Sequence, residues 1–475
     1  MTTGEVVTSS TLGPNEIVRR AGAVRPIGSF WSVDELADRF DRLAEQHPGR
    51  VSRRRIGTSR LGEPIHVYTV DGREVAGQAG SADREHLLVG GVHPNEPIGF
   101  HTAHELASTV LTDQALRRAV PARWHVVPCV DPDGARMNER WYADPSDRNF
   151  YARWFYRPAP DEQVEWSFPT DYRDAYFDAM MPEALALMRL IDAVRPDLYV
   201  SLHNGEFGGV YYYLSRRVPS LTETLHAVPA SLGLPLDVGE PESPYLQTYA
   251  PAIFGTGTIA DAYDYLDRLG LDAAAQISGS SSGEYAAQRH GTLGLVAELP
   301  LWSHPAADDL TVTDESYAEL VRRTATDLRA LGDRLQHTLD AAEPLLGIES
   351  PFRRASRVFV PMLGELAGMD LARADLEEAQ RPATVAERFG REDLVRCFGL
   401  RHGGMLLRAL DVEAEAGTAP VTVRRLRGEL GADYARWQAA AAADVSDAWL
   451  VPIERLVGVQ LGAVLAAAAH LAASA

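Results

Sequence analysis

Cysteine is nearly absent from this chain. Only Cys129 and Cys397 occur in 475 residues. Two are too few for a disulfide scaffold, and the pattern fits a reducing cytoplasm. A basic block is missing as well. The net charge of −20 makes nucleic acid and anionic membrane poor partners and leaves a small or peptidic substrate. The start, Met1-Thr2-Thr3-Gly4-Glu5, lacks a basic stretch followed by an apolar core, so no signal peptide is expected. Long apolar runs are scarce. The exception, Leu456 to Ala475, is Ala-rich but carries Gln460 and His470, and reads as a packed helix rather than a membrane span. No repeat of fixed period is visible.

What is present suffices for one large domain and a second unit, with 45 % apolar residues to build cores. Residues 1–28 are polar and aperiodic, an N-terminal arm. Val33, Leu36, Phe40 and Leu43 mark a helix, with Ser32 as N-cap and Glu35 three residues on. Strands are expected at Pro64–Val70, His86–Val92, His125–Val130, Asp197–Leu202, Gly209–Ser215 and Thr292–Ala297. Helices are expected after His93, over Asp171–Arg195, over Pro219–Leu232 and over Thr313–Leu345. This alternation predicts an α/β fold, a mixed and mostly parallel sheet with helices on both faces. Between Asp131 and Thr170 lies a long irregular stretch, and loops of that length in compact domains are usually functional. From Leu346 the texture turns to Ala, Leu, Arg and Glu. The division is therefore an arm over 1–28, a catalytic domain over 29–345 and a mostly helical unit over 346–475.

The chemistry gathers where strands end. His93-Pro94-Asn95-Glu96 follows one apolar run. Asp131, His203 and Glu298 follow three others. If those strands are parallel, their carboxyl ends meet on one sheet edge, where open α/β sheets bind ligands. His93, Glu96 and His203 form a two-His, one-carboxylate set suited to one zinc ion per chain with a position left for water. Zinc acidifies water and polarises a carbonyl. A carboxylate off the metal must then move protons, and Glu298, in apolar surroundings that would raise its pKa, is the candidate. An arginine should steady the oxyanion, and Arg136, Arg140 and Arg148 lie in the long loop. His101 and His104 read as surface or supporting groups, and Cys129 as strand core.

These residues resemble a family. His93-Pro94-Asn95-Glu96, Asp131-Pro132-Asp133-Gly134, Arg148-Asn149-Phe150, Leu202-His203 and Glu298-Leu299-Pro300 stand in the order seen in the M14 zinc carboxypeptidases. The upstream Gly57-Thr58-Ser59…Gly62 turn is similar too, and the resemblance covers roughly residues 30–345. It implies that His93, Glu96 and His203 hold zinc and that Glu298 is the general base. It implies that Arg140 polarises the scissile carbonyl and that Arg148 holds the substrate's terminal carboxylate, a charge-assisted contact. Asp147, Gly283 and Glu284 fall at substrate-binding positions.

The sequence departs from the family in three places. Asp147 replaces an asparagine, and its charge would repel a substrate carboxylate unless an arginine pairs with it. Gln276 stands where a mobile tyrosine closes, with Tyr263, Tyr265 or Tyr285 as substitutes. Gly283, at the specificity position, leaves the pocket open, while Glu206, Glu284 and Asp147 suggest a cationic substrate group. The expected function is zinc-dependent hydrolysis of a C-terminal peptide amide bond. The alternatives are a zinc-dependent deacylase of a small acyl-amino acid and, from another class, a non-catalytic zinc-binding scaffold. Three jobs are open to the helical unit: capping the cleft, forming a homo-oligomer, or binding a partner.

Overall fold

A computed structural model describes residues 12–73, 84–444 and 447–474. The central sheet is built from β1 (Val51–Thr58), β2 (Pro64–Asp71), β3 (Arg84–Val89), β4 (Ala122–Val127), β5 (Leu198–Ser201), β6 (Tyr211–Leu214), β7 (Thr248–Ala250), β8 (Ile253–Gly255) and β9 (Leu293–Glu298). Its order is β1-β2-β4-β3-β5-β9-β6-β8-β7. The block β4-β3-β5-β9 is parallel, while β2 on β4 and β6 on β9 are antiparallel. The parallel character is thus confined mainly to the centre, and both flanks mix directions. Leu87, Leu88, Val89, Val200 and Leu295 in that block are buried, as a strand covered on both faces requires.

The helices on the faces are α1 (Pro14–Ala21), α2 (Val33–Gln46), α3 (Ile98–Thr112) and α4 (Pro182–Val194). Ser32 and Glu35 close a reciprocal capping box at the start of α2, as the spacing predicts. The helix expected over Asp171–Arg195 starts later. Thr170–Tyr172 and Ala175–Phe177 pair as a hairpin across Arg173, whose φ is 51°. Pro182, which has no N–H to donate, then opens α4. The long stretch after β4 is not shapeless: Pro132–Arg136, Glu139–Tyr142 and Arg148–Trp154 are short helices.

Four further helices, α5 (Tyr317–Ala342), α6 (Pro351–Arg373), α7 (Val385–Glu415) and α8 (Val421–Asp444), pack on one another. The boundary near residue 345 therefore cuts through a packed layer, because α5 lies against α6 and α7. The strand Pro382–Thr384 pairs with Val312–Ser316 and ties this layer to the body.

The last helix, α9 (Ile453–Ala473), leaves that layer. It packs against α1, α3, the helix Thr222–Ser231 and strands β5 and β9. By length and composition it could cross a membrane, but its apolar residues Leu456, Val457, Leu461, Val464 and Leu465 are buried inside the fold. At Gly458 a Cβ would come within 2.3 Å of the Ala21 carbonyl oxygen, so only glycine permits this approach. Much of the arm expected over 1–28 is accordingly structured: Ile17 and Ala21 of α1 are core residues against α9, while residues 1–11 lie outside the described residues. One large apolar cluster runs from Ile17 to Leu471, and a separate one, with Ile65, Leu87, Val89, Leu187 and Ile191, fills the space between the sheet and α4.

Candidate active site

β3, β5 and β9 are neighbours in the sheet, and their carboxyl ends carry His93, His203 and Glu298 to one cavity. The turn holding His93 is braced from outside. Asp131 caps Pro132–Arg136 by accepting from Gly134 N at 2.9 Å, and Asp133 accepts from Ser59 Oγ at 2.7 Å. A Cβ on Gly134 would meet Pro94 at 2.7 Å, so glycine lets this turn press on the His93 loop. Tyr142 Oη donates to the Pro94 carbonyl. Asp131 is therefore a structural brace; burial raises its carboxyl to about 7.

His93, Glu96 and His203 are all buried, and one ligand atom from each lies within 4.8 Å of the others. The two imidazole rings stand 4.8 Å apart at 77°. His93 Nδ1 is buried with no hydrogen-bond partner among the described residues. Burial, then Arg157 and His203, hold the His93 pKa well below its ordinary value, which keeps the ring neutral as metal ligation requires. His203 Nδ1 lies 3.2 Å from Glu96 and 3.4 Å from Glu298. Burial opposes charge on His203, but Glu96, Glu298 and Glu165 outweigh it and raise the imidazole to about 9. Two imidazoles ringed by carboxylates suit a divalent cation, and the residues fit zinc.

Glu298 sits beside this set with Oε2 buried and unpartnered among the described residues. Burial lifts its pKa well above the carboxylate range; His203 pulls it back and Glu96 raises it further. Behind His203, Ser201 Oγ lies 2.8 Å from Nε2 and donates to Glu165 at 3.1 Å, and Ser282 donates to the same Glu165 oxygen at 2.6 Å. From α9, Gln460 donates to the His203 carbonyl at 2.8 Å. Such contacts fix a ligand's orientation.

The cavity is about 230 Å³, walled by Trp166, Tyr213, Tyr245, Thr258, Gly283 and Glu284 besides the residues above. A Cβ on Gly283 would meet nothing nearer than Ser281 Oγ at 3.9 Å, so that wall is open. Glu284 faces the cavity but is already engaged, accepting from Ile259 N at 3.1 Å and Gln288 Nε2 at 2.8 Å. Burial raises it to about 7, against the Ile259 N–H.

Three expected substrate groups are placed elsewhere. Arg140 is exposed, its guanidinium stacked 3.4 Å from the Trp154 ring centroid, and it does not line the cavity. Asp147 is an exposed N-cap, accepting from Asn149 N at 2.8 Å and Phe150 N at 3.3 Å. Arg148 is held by Glu206 at 2.9 Å and Asp393 at 3.2 Å and is likewise absent from the wall. Gln276 is exposed at the end of its helix, Tyr285 is tied to Asp192 and Tyr263 packs on Tyr172. Tyr213 and Tyr245 are the tyrosines at the wall beside Tyr199, and Tyr213 Oη is buried without a partner among the described residues.

Sequence reasoning missed two arginines at the wall. Arg157 reaches Glu96 at 3.3 Å and Gln163 at 3.1 Å. It lies nine positions past Arg148 in the loop already marked as functional. Arg401 comes from α7 and carries no local signal. Ser201 was readable, since it lies two residues before His203 on a strand and so shares its face.

Comparison with known proteins agrees with this geometry. The zinc carboxypeptidase family model (Peptidase_M14) matches residues 36–291, more than half of the chain, and the chain belongs to that family. Murein peptide amidase A of Escherichia coli (strain K12) is 31% identical over 159 residues, 31% of this chain and 57% of that protein. The chain thus spans little more than half the length of the curated relatives it matches. Among solved structures, a metallo-carboxypeptidase from Burkholderia cenocepacia is similar at 18% identity, TM-score 0.34, covering 57% of this chain and 60% of that one. Bovine thrombin-activatable fibrinolysis inhibitor, solved with tick carboxypeptidase inhibitor, gives 12% identity and TM-score 0.33 over 56% of this chain and 86% of that one.

Proposed function

We propose that this protein hydrolyses an amide bond in a short peptide bearing a carboxylate on the leaving side. The observation that carries the reading is the meeting of His93, Glu96, His203 and an unpartnered, buried Glu298 in one cavity. Zinc on the three ligands would acidify a water and polarise the scissile carbonyl. Glu298 takes the attacking water's proton through Oε2 and returns it to the leaving nitrogen. Arg157, beside Glu96, is placed to stabilise negative charge growing on the carbonyl oxygen, the role first given to Arg140.

The name of the curated relative makes murein peptides the first substrates to test. A second reading, deacylation of a small acyl-amino acid, is favoured by the cavity volume of about 230 Å³, which is below the range usual for drug-sized ligands. Incubation with murein peptides, acetylated peptides of two to six residues and N-acyl amino acids, read by mass spectrometry, separates the two. Release of a C-terminal residue from peptides supports the first reading. Cleavage of acyl-amino acids alone supports the second, and no cleavage by the zinc-loaded enzyme would sink both.

A further inference from the structure

The two arginines of the cavity wall differ in how they are used. Arg157 donates Nε to Gln163 and Nη1 to Glu96, which among the described residues leaves a single nitrogen, Nη2, for the carbonyl oxygen. Arg401 is different: its Nε donates to Glu206 at 2.7 Å, and its Nη atoms make no hydrogen bond among the described residues. The side chain is 16% exposed and lines the cavity. Its guanidinium carbon lies 4.9 Å from the Phe155 ring centroid, so the plane is fixed by an aromatic neighbour as well as by Glu206.

Glu206 explains why the roles are divided as they are. It is buried and bridges both arginines, with Oε1 on Arg148 Nε and Oε2 on Arg401 Nε. Arg148 has a second carboxylate, Asp393, on Nη2, while its Nη1 is buried and its guanidinium lies 4.3 Å from the Phe207 ring centroid. No edge of Arg148 reaches the cavity. On Arg401 the bridge consumes only Nε and leaves the Nη1/Nη2 edge. That edge is the planar fork that binds a carboxylate through two parallel hydrogen bonds. The rest of the wall is rich in carboxylates, with Glu165, Glu242, Glu284 and Glu298. Arg401 is the cation of that wall whose two terminal nitrogens are both unengaged among the described residues.

We propose that Arg401, carried by the helical layer, receives the substrate's free carboxylate through its Nη edge, in place of Arg148. The substrate class is then an amide with a free carboxylate on the leaving side. The helical layer is then part of the active site, through the one wall residue it contributes. This rests on the hydrolase reading above for the identity of the ligand.

The test separates binding from turnover. In zinc-loaded Glu298→Gln protein, calorimetry compares an acetylated alanine tripeptide having a free C-terminus with its C-terminal amide. The free acid should bind about 50-fold more tightly, the size expected for a charge-assisted pair. Adding Arg401→Gln should bring the two within about 2-fold, and Arg401→Lys should restore part of the preference. Zinc content should stay unchanged in each variant. A preference that survives Arg401→Gln, or no preference in the parent, overturns the proposal. If the preference depends on Arg401 but the wild type hydrolyses neither peptide, the anchor stands and the peptidase reading falls.

Discussion

His93, His203 and Glu298 stand at the ends of three adjacent strands, whereas the two wall arginines come from a loop and from a helix far along the chain. The strands sit in one parallel block whose hydrogen bonds fix the spacing of their ends. The metal half of the site therefore inherits its geometry from the sheet. The substrate half is assembled on top: Arg157 by the long loop, Arg401 by α7. That helix grips the loop through Arg408, which donates to the carbonyls of Trp154 and Phe155 at 2.9 and 3.1 Å. A Cβ on Gly404 would come within 2.9 Å of the Ala152 carbonyl oxygen, so the helix and loop touch backbone to backbone. Recognition can be altered in such a layer without moving the ligands, which is how one scaffold serves many substrates.

Substitutions in the metal half should give the largest effects. His203→Ala should reduce zinc from about one per chain to near zero, whereas Glu298→Gln should keep the metal and lower kcat by about 10²–10⁴-fold. Metal analysis with steady-state rates checks both, and equal zinc in wild type and His203→Ala would remove the ligand assignment. The loop comes next. Arg157→Gln should cost about 10²–10³-fold in kcat, while Arg140→Gln should stay within about 2-fold. The reverse order would return the oxyanion role to Arg140.

The smallest effect belongs to the shared wall at Glu284. An unfolded glutamate titrates near about 4.3, and burial raises the folded group to about 7. Between those values the folded protein holds a proton that the unfolded chain lacks. The stabilisation is complete below about pH 4 and is lost as pH rises through 7. Glu284→Gln should flatten that slope in urea melts at pH 5 and 7.5; an unchanged slope would show that another group titrates there.

The same division explains what could be read from the sequence. Strand ends are legible because apolar runs stop abruptly at polar residues, and His93, Glu96, His203 and Glu298 all follow that rule. Arg140 and Arg148 were assigned by position in an ordered set, but Trp154 and Glu206 claim them in the fold, and neither partner is local in sequence. Asp147 was read for its charge when its task is to cap a helix. Arg401 was invisible because a single arginine on a helical face has no distinguishing pattern. The helical unit was recognised by composition, but its edges were not: α5 joins it and α9 leaves it, choices made by packing rather than by periodicity.

Gln460 has one more consequence, and it concerns order in time. Its bond to the His203 carbonyl spans 257 positions, so this one hold on the His203 strand end forms only once α9 has docked. Contacts that distant close late, because the intervening chain must be ordered first. During synthesis the sheet can form around β3 and β4 before that hold exists. Pulsed hydrogen exchange during refolding should protect the backbone around His203 no earlier than α9.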